Sequence, residues 1–181
     1  ISGHSEYWSR QARENFDDFV DSGKDAMVLS GNTMWWQIRY ENTGDKLICY
    51  KDFSDPVLDP SLITIIWDEP ILDYSIIHSI GVSFMNGGYG AGEALYPGEP
   101  SWAGIKIVAP NSPIFDGLDI ADNQILDMQN VEVDGAPLIG VEEDGTPIID
   151  EDHLGFEKIE LIGYQKACRW GICEGRYATF I

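Results

Sequence analysis

Positive charge is what this chain has least of. Its 11 Lys and Arg stand against 31 Asp and Glu, a formal net charge of −20. Phosphate backbones and anionic membranes need a basic face to grip, so the balance argues against nucleic acid and membrane surface as partners. The acids are scattered, and no loop has the acid spacing of a calcium-binding hand. The charge therefore reads as a solubilising surface, with a calcium site as the weaker alternative. Long apolar runs are also missing. None approaches the roughly 20 residues of a membrane-spanning helix. Cysteine is nearly absent, at three. Cys49 sits in the strand-like Leu47-Ile48-Cys49-Tyr50 and reads as a buried small hydrophobe. Cys168 and Cys173 flank Arg169-Trp170-Gly171-Ile172; they either close a small disulfide loop or stay free thiols. Two cysteines without other soft ligands make a poor zinc site. An initiator Met is lacking as well. Ile1 begins what reads as a strand end, and Ile181 closes an apolar run, so the expectation is a piece of a longer polypeptide with further domains.

What is present suits one domain. A length of 181 residues buries one core and not comfortably two. Trp8, Ala12, Phe16, Phe19 and Val20 recur at helical spacing, with Arg10, Arg13, Glu14, Asp17, Asp18 and Asp21 mostly on the opposite face. Ser5 or Ser9 can cap this helix and Gly23 can follow it. Ala26 to Ser30 reads as a buried parallel strand. Trp35 to Tyr40 and Lys46 to Tyr50 pair across Asn42-Thr43-Gly44-Asp45. Ser79 to Phe84 and Ile105 to Val108 read as further strands. The glycine-rich Asn86 to Glu93 lacks a following Lys-Ser/Thr, so it reads as a mobile or ligand-approaching loop rather than a phosphate cradle. Val131-Glu132-Val133-Asp134-Gly135 is echoed by Val141-Glu142-Glu143-Asp144-Gly145. Asp-Gly favours tight turns, so 131–150 is expected to be a β-hairpin insertion in a single domain covering 1–181. Helix and buried strands first, hairpins later, suggest an α/β core with a β-rich extension.

The chemistry-bearing residues crowd into Gly3-His4-Ser5-Glu6-Tyr7-Trp8. An imidazole, a carboxylate and a phenol share a turn between a strand end and a helix start. Open α/β sheets hold ligands beyond the carboxyl ends of their strands, at such turns, and a helix start favours anionic groups. The competing reading is a cap followed by core aromatics.

Several segments carry a resemblance. Ser2-Gly3-His4-Ser5-Glu6-Tyr7-Trp8-Ser9 resembles the GHDEYWS motif of the C-terminal domain of N,N-dimethylformamidase large subunits. Ser30-Gly31-Asn32-Thr33 with Trp36-Gln37-Ile38-Arg39 looks like that family's SGNT and W-x-x-R. Cys49-Tyr50-Lys51-Asp52 matches its CYKD, and Pro113 to Gly117 with Glu132 to Gly135 resembles its later motifs. The resemblance implies a flavodoxin-like three-layer α/β sandwich, as in class I glutamine amidotransferases and ThuA-like proteins, with a β-rich extension. The nucleophilic cysteine of the amidotransferases is absent here, which removes a thioester route. What it implies instead is hydrolysis of a small linear amide with iron as the metal, held in the family by two tyrosines and a glutamate. By that match Tyr7 is the metal ligand. His4 and Glu6 orient it or line the pocket, and Asn32, Trp36 and Arg39 line the substrate site. Where the family's ligand glutamate is expected, near Ser79, this chain has Asp73-Tyr74-Ser75-Ile76-Ile77-His78. Asp73, Tyr74 or His78 are the substitutes, and His78 is taken as catalytic. Arg39 is expected to pair with Glu6, Glu132 or Asp134. The expected partner is a small-molecule substrate, with a homo-oligomer left open. The alternative function is a non-catalytic amidotransferase-like module binding a ligand or carbohydrate through Trp8, Trp35, Trp36 and Tyr89.

Overall fold

The computed structural model describes residues 1–90, 104–127 and 131–181. They fall into two compact units, Ile1–Ile80 and Gly81–Ile181.

In the first unit, strand β1 (Tyr7–Ser9) runs straight into helix α1 (Arg10–Asp21). Ser9 makes that change of direction: its backbone is still extended, and its hydroxyl accepts the N–H of Ala12 at 3.2 Å, a helix N-cap. Strand β2 (Trp36–Glu41) lies parallel to β1, with Tyr7 opposite Trp36. Strand β3 (Lys46–Ile48) returns antiparallel to β2, with Arg39 opposite Ile48. The core collects Met34, Ile63, Ile65, Trp67, Leu72 and Ile76, with Trp8 and Phe16 packed against it. Helix α1 buries only part of the expected face. Phe19 and Val20 are exposed, whereas Arg13, placed by periodicity on the polar side, has no exposed surface. Its guanidinium donates to the carbonyls of Tyr74 at 2.6 Å and Ser75 at 3.2 Å and to the Ser79 hydroxyl. It also lies 4.6 Å from the Trp67 ring centroid and 4.0 Å from that of Tyr74. A buried cation is tolerated because acceptors and aromatic faces surround it. The short helix α2 (Ile77–Ile80) ends this segment.

In the second unit, β4 (Ser83–Tyr89) pairs antiparallel with β7 (Glu132–Gly135). A four-stranded antiparallel sheet has the order β11 (Tyr177–Phe180), β10 (Gly163–Lys166), β5 (Ile105–Ile107), β6 (Ile125–Leu126). Strands β8 (Leu138–Val141) and β9 (Pro147–Ile149) make a separate hairpin, followed by helix α3 (Glu151–Leu154). Ile107, Phe115 and Ile162 centre a small core. Cys168 and Cys173 form the disulfide left open by the sequence, and Cys49 is free and half-buried.

The expected flavodoxin-like, amidotransferase-like α/β sandwich is not what forms. Strand outweighs helix, at 30% against 19%, and the strands divide into several small sheets. Among the described residues one named strand pair, β1 with β2, is parallel; a three-layer sandwich needs a broad parallel sheet with helices on both faces. The run Ala26 to Ser30 contributes a single parallel bridge, Leu29 with Ser2, and Met27 and Leu29 are exposed rather than buried. The later repeat also splits. Asp144-Gly145 turns the β8–β9 hairpin, but Asp134-Gly135 lies inside β7. A Cβ at Gly135 would stand 2.1 Å from the carbonyl oxygen of Tyr177, so glycine serves a close backbone approach there, not a turn. Residues 91–93 of the glycine-rich segment lie outside the described residues.

Candidate functional site

Backbone hydrogen bonds fix the opening turn before its side chains do anything. Met34 N–H donates to Ser5 O and Trp36 N–H to Glu6 O, each at 2.7 Å. The Trp8 indole N–H returns to Ser5 O at 2.9 Å. This pinning leaves His4, Glu6 and Tyr7 at the rim of the sheet. His4 Nδ1 lies 3.7 Å from Glu6 Oε1; the imidazole is largely exposed and the carboxylate mostly covered. The Tyr7 ring is 46% exposed, so its oxygen is reachable from solvent. That oxygen accepts a 2.7 Å hydrogen bond from Lys51 Nζ. The ammonium stands 4.9 Å from the ring centroids of both Tyr7 and Trp36. The Tyr7 hydrogen bond pushes the Lys51 pKa up against the opposing effect of burial, and the Glu6 carboxylate adds to the rise. The turn thus joins an imidazole–carboxylate pair to a phenol–ammonium pair.

Lys51 was not singled out from the sequence, although the Cys49 to Asp52 segment was. Its backbone takes φ +66. Its N–H donates to Thr64 O at 2.8 Å, and the N–H of Tyr50 donates to Thr64 Oγ1 at 2.8 Å. Thr64 in turn donates through its N–H at 2.9 Å and its hydroxyl at 2.6 Å to Asp55 Oδ2. Within its own unit Arg39 pairs with Asp55 and not with Glu6. Its Nη1 bonds Asp55, and its Nε lies 3.6 Å from Glu41. The correction has a simple cause: alternate residues of a strand point to opposite faces, and Arg39 faces the loop that carries Asp55. Burial alone would raise the Asp55 pKa. Hydrogen bonds from Arg39, Thr64 and Val57 outweigh it and hold this carboxyl well below the ordinary aspartate value.

The other expected residues differ in burial and setting. Asn32 is buried in a left-handed turn. Trp36 is half-buried, edge-on to buried Trp35 at 6.0 Å. His78 is exposed on α2, at the end of the segment that Arg13 holds. Tyr74 donates its hydroxyl to Asp17, and burial with that bond pushes its pKa well up. That bond, with the Tyr74 ring edge-on to Trp67 at 5.7 Å, ties this phenol into the packing of its own unit. Asp73 closes a one-turn helix in left-handed conformation, exposed. The aromatics proposed to face a sugar pack edge-on within their own units: Trp8 on Phe16 at 6.2 Å and Tyr89 on Phe84 at 5.3 Å.

Neither a curated protein nor a solved structure matches the chain. A family model described as N,N-dimethylformamidase beta subunit-like, C-terminal, matches residues 1–161, and these include the opening turn, Lys51 and its supports. The chain belongs to the N,N-dimethylformamidase beta subunit-like C-terminal family.

Proposed function

We propose that the His4–Tyr7 turn is the part of an amide-hydrolysing centre that this chain contributes, acting on a small linear amide with a bound cation. The observation that carries the reading is the pair His4–Glu6 at 3.7 Å, beside a phenol oxygen held by an ammonium at 2.7 Å. Carboxylate and phenol are hard oxygen donors and imidazole is a borderline one, a set suited to iron. When bound, the metal would polarise the amide carbonyl and lower the pKa of its water. Glu6 is the first oxygen donor in this reading, because the Tyr7 oxygen already has a cation beside it. Tyr7 adds a second. Lys51 holds the phenol oxygen through its ammonium. In this reading His4, exposed and next to Glu6, hands a proton to the departing amine. Asn32, Trp36 and Arg39 shape the floor behind the turn, with Arg39 acting through Asp55. His78 has no place in this arrangement. Metal analysis of the full-length protein, with hydrolysis of N,N-dimethylformamide followed in parallel, tests the reading. Iron near one equivalent and release of amine support it; protein free of iron after anaerobic reconstitution refutes it.

A further inference from the structure

A lysine at φ +66 sits in a region that side-chain-bearing residues rarely adopt, so its neighbours must hold it there. Thr64 does so from both sides of the turn. Its carbonyl takes the N–H of Lys51 and its hydroxyl the N–H of Tyr50, each at 2.8 Å. Thr64 is fully buried, and so is the side chain of Asp55 behind it. Asp55 Oδ2 accepts both Thr64 donors, at 2.9 Å and 2.6 Å, and also bonds Arg39. Its Oδ1 accepts the N–H of Val57 at 3.1 Å. Every oxygen in this chain of contacts is committed, and the chain ends on one exposed ammonium.

We propose that Asp55 and Thr64 form a clamp that aims Lys51, holding its turn left-handed so that the ammonium rests on the Tyr7 hydroxyl between the Tyr7 and Trp36 rings. Asp55 is a positioning residue that acts through Thr64 and Lys51. Lys46, on the neighbouring strand β3, lies outside the clamp; its ammonium meets the exposed carboxylate of Glu41, at 3.6 Å. The clamp thus distinguishes one lysine from another a few residues away. A merely structural role for Asp55 would loosen both alike. The inference deepens the reading of the turn as a reaction centre and rests on it for its consequence in catalysis. Its test uses neither metal nor substrate, so its failure and that of the hydrolase reading are separable.

The test is acylation of the full-length protein by an isotope-coded amine-reactive ester at one fixed pH, with Lys51 and Lys46 quantified in the same digest. Thr64→Val keeps the side-chain volume and removes the hydroxyl. It should raise the Lys51-to-Lys46 labelling ratio about fivefold, the factor carried by one ordinary hydrogen bond. Asp55→Asn should raise it similarly, and Thr64→Ser, which restores the hydroxyl, should return it to the starting value. An unchanged ratio in Thr64→Val, Lys46 rising in step with Lys51, or a raised ratio in Thr64→Ser would each overturn the clamp.

Discussion

Lys51 and Tyr7, 44 residues apart in sequence, are joined by a 2.7 Å hydrogen bond from ammonium to hydroxyl. The bond favours the charged lysine, so the Lys51 pKa lies above its ordinary value. Its contribution to stability is therefore complete below the ordinary lysine pKa of about 10.4 and fades as pH rises through the raised one. Water screens so exposed a pair, which limits its worth to less than about 1 kcal/mol. Denaturant midpoints of the parent protein and Lys51→Met should differ by a small constant amount from pH 6 to about pH 9 and converge as pH rises through the raised lysine pKa.

Asp55 should govern acid stability. Its depressed pKa means that it stabilises the fold above the ordinary aspartate value of 3.8 and that this stability is lost as pH falls below it. Asp55→Asn should flatten the acid limb of the stability curve. Asp55→Ala, which leaves the largely buried Arg39 guanidinium without its main partner, should cost about 3 kcal/mol at neutral pH. Urea melts between pH 2 and pH 7 would measure both.

Arg13 should be intolerant of lysine. Burial pushes its guanidinium down to about 10, still charged at neutral pH, and its planar fork reaches three acceptors on Tyr74, Ser75 and Ser79 at once. A lysine keeps the charge but cannot span those acceptors. Arg13→Lys is expected to lose about 3 kcal/mol, read as a shift in the urea midpoint at constant slope.

The thiols should count as one. With Cys168 and Cys173 bridged and Cys49 free, unreduced protein in denaturant should titrate a single thiol. Cys168→Ser with Cys173→Ser should lower stability by about 2 kcal/mol, the loop-closure value for so short a ring.

Local signals in the sequence were legible where one interaction decides the structure. Ser9 caps α1 as its position implies, Trp35 to Ile48 pairs across Asn42 to Asp45, and Asp144-Gly145 turns a hairpin. Within the opening motif, His4 lies near Glu6, and Tyr7 meets Lys51. What failed was everything set by distant partners. Ala26 to Ser30 has the composition of a buried strand, but no broad sheet forms to cover it, and Met27 and Leu29 stay exposed. Periodicity put Arg13 in solvent because it cannot see the carbonyls of Tyr74 and Ser75, some sixty residues on. Asp134-Gly135 carries the same dipeptide as a turn, but the Tyr177 backbone takes the space a side chain would need. Lys51 went unnoticed because its role depends on a left-handed turn and on Thr64 and Asp55 behind it. Its one sequence signal was a lysine within an aromatic motif, in a chain short of positive charge.

The central claim is that the opening turn grips a cation, with Glu6 first and Tyr7 second. Iron content and affinity should be compared in the full-length protein, in Glu6→Gln and in Tyr7→Phe after identical anaerobic reconstitution. The account predicts about one iron per chain in the parent protein, loss of that iron in Glu6→Gln, and a roughly 10- to 100-fold weaker affinity in Tyr7→Phe. Unchanged iron stoichiometry and affinity in Glu6→Gln would contradict it.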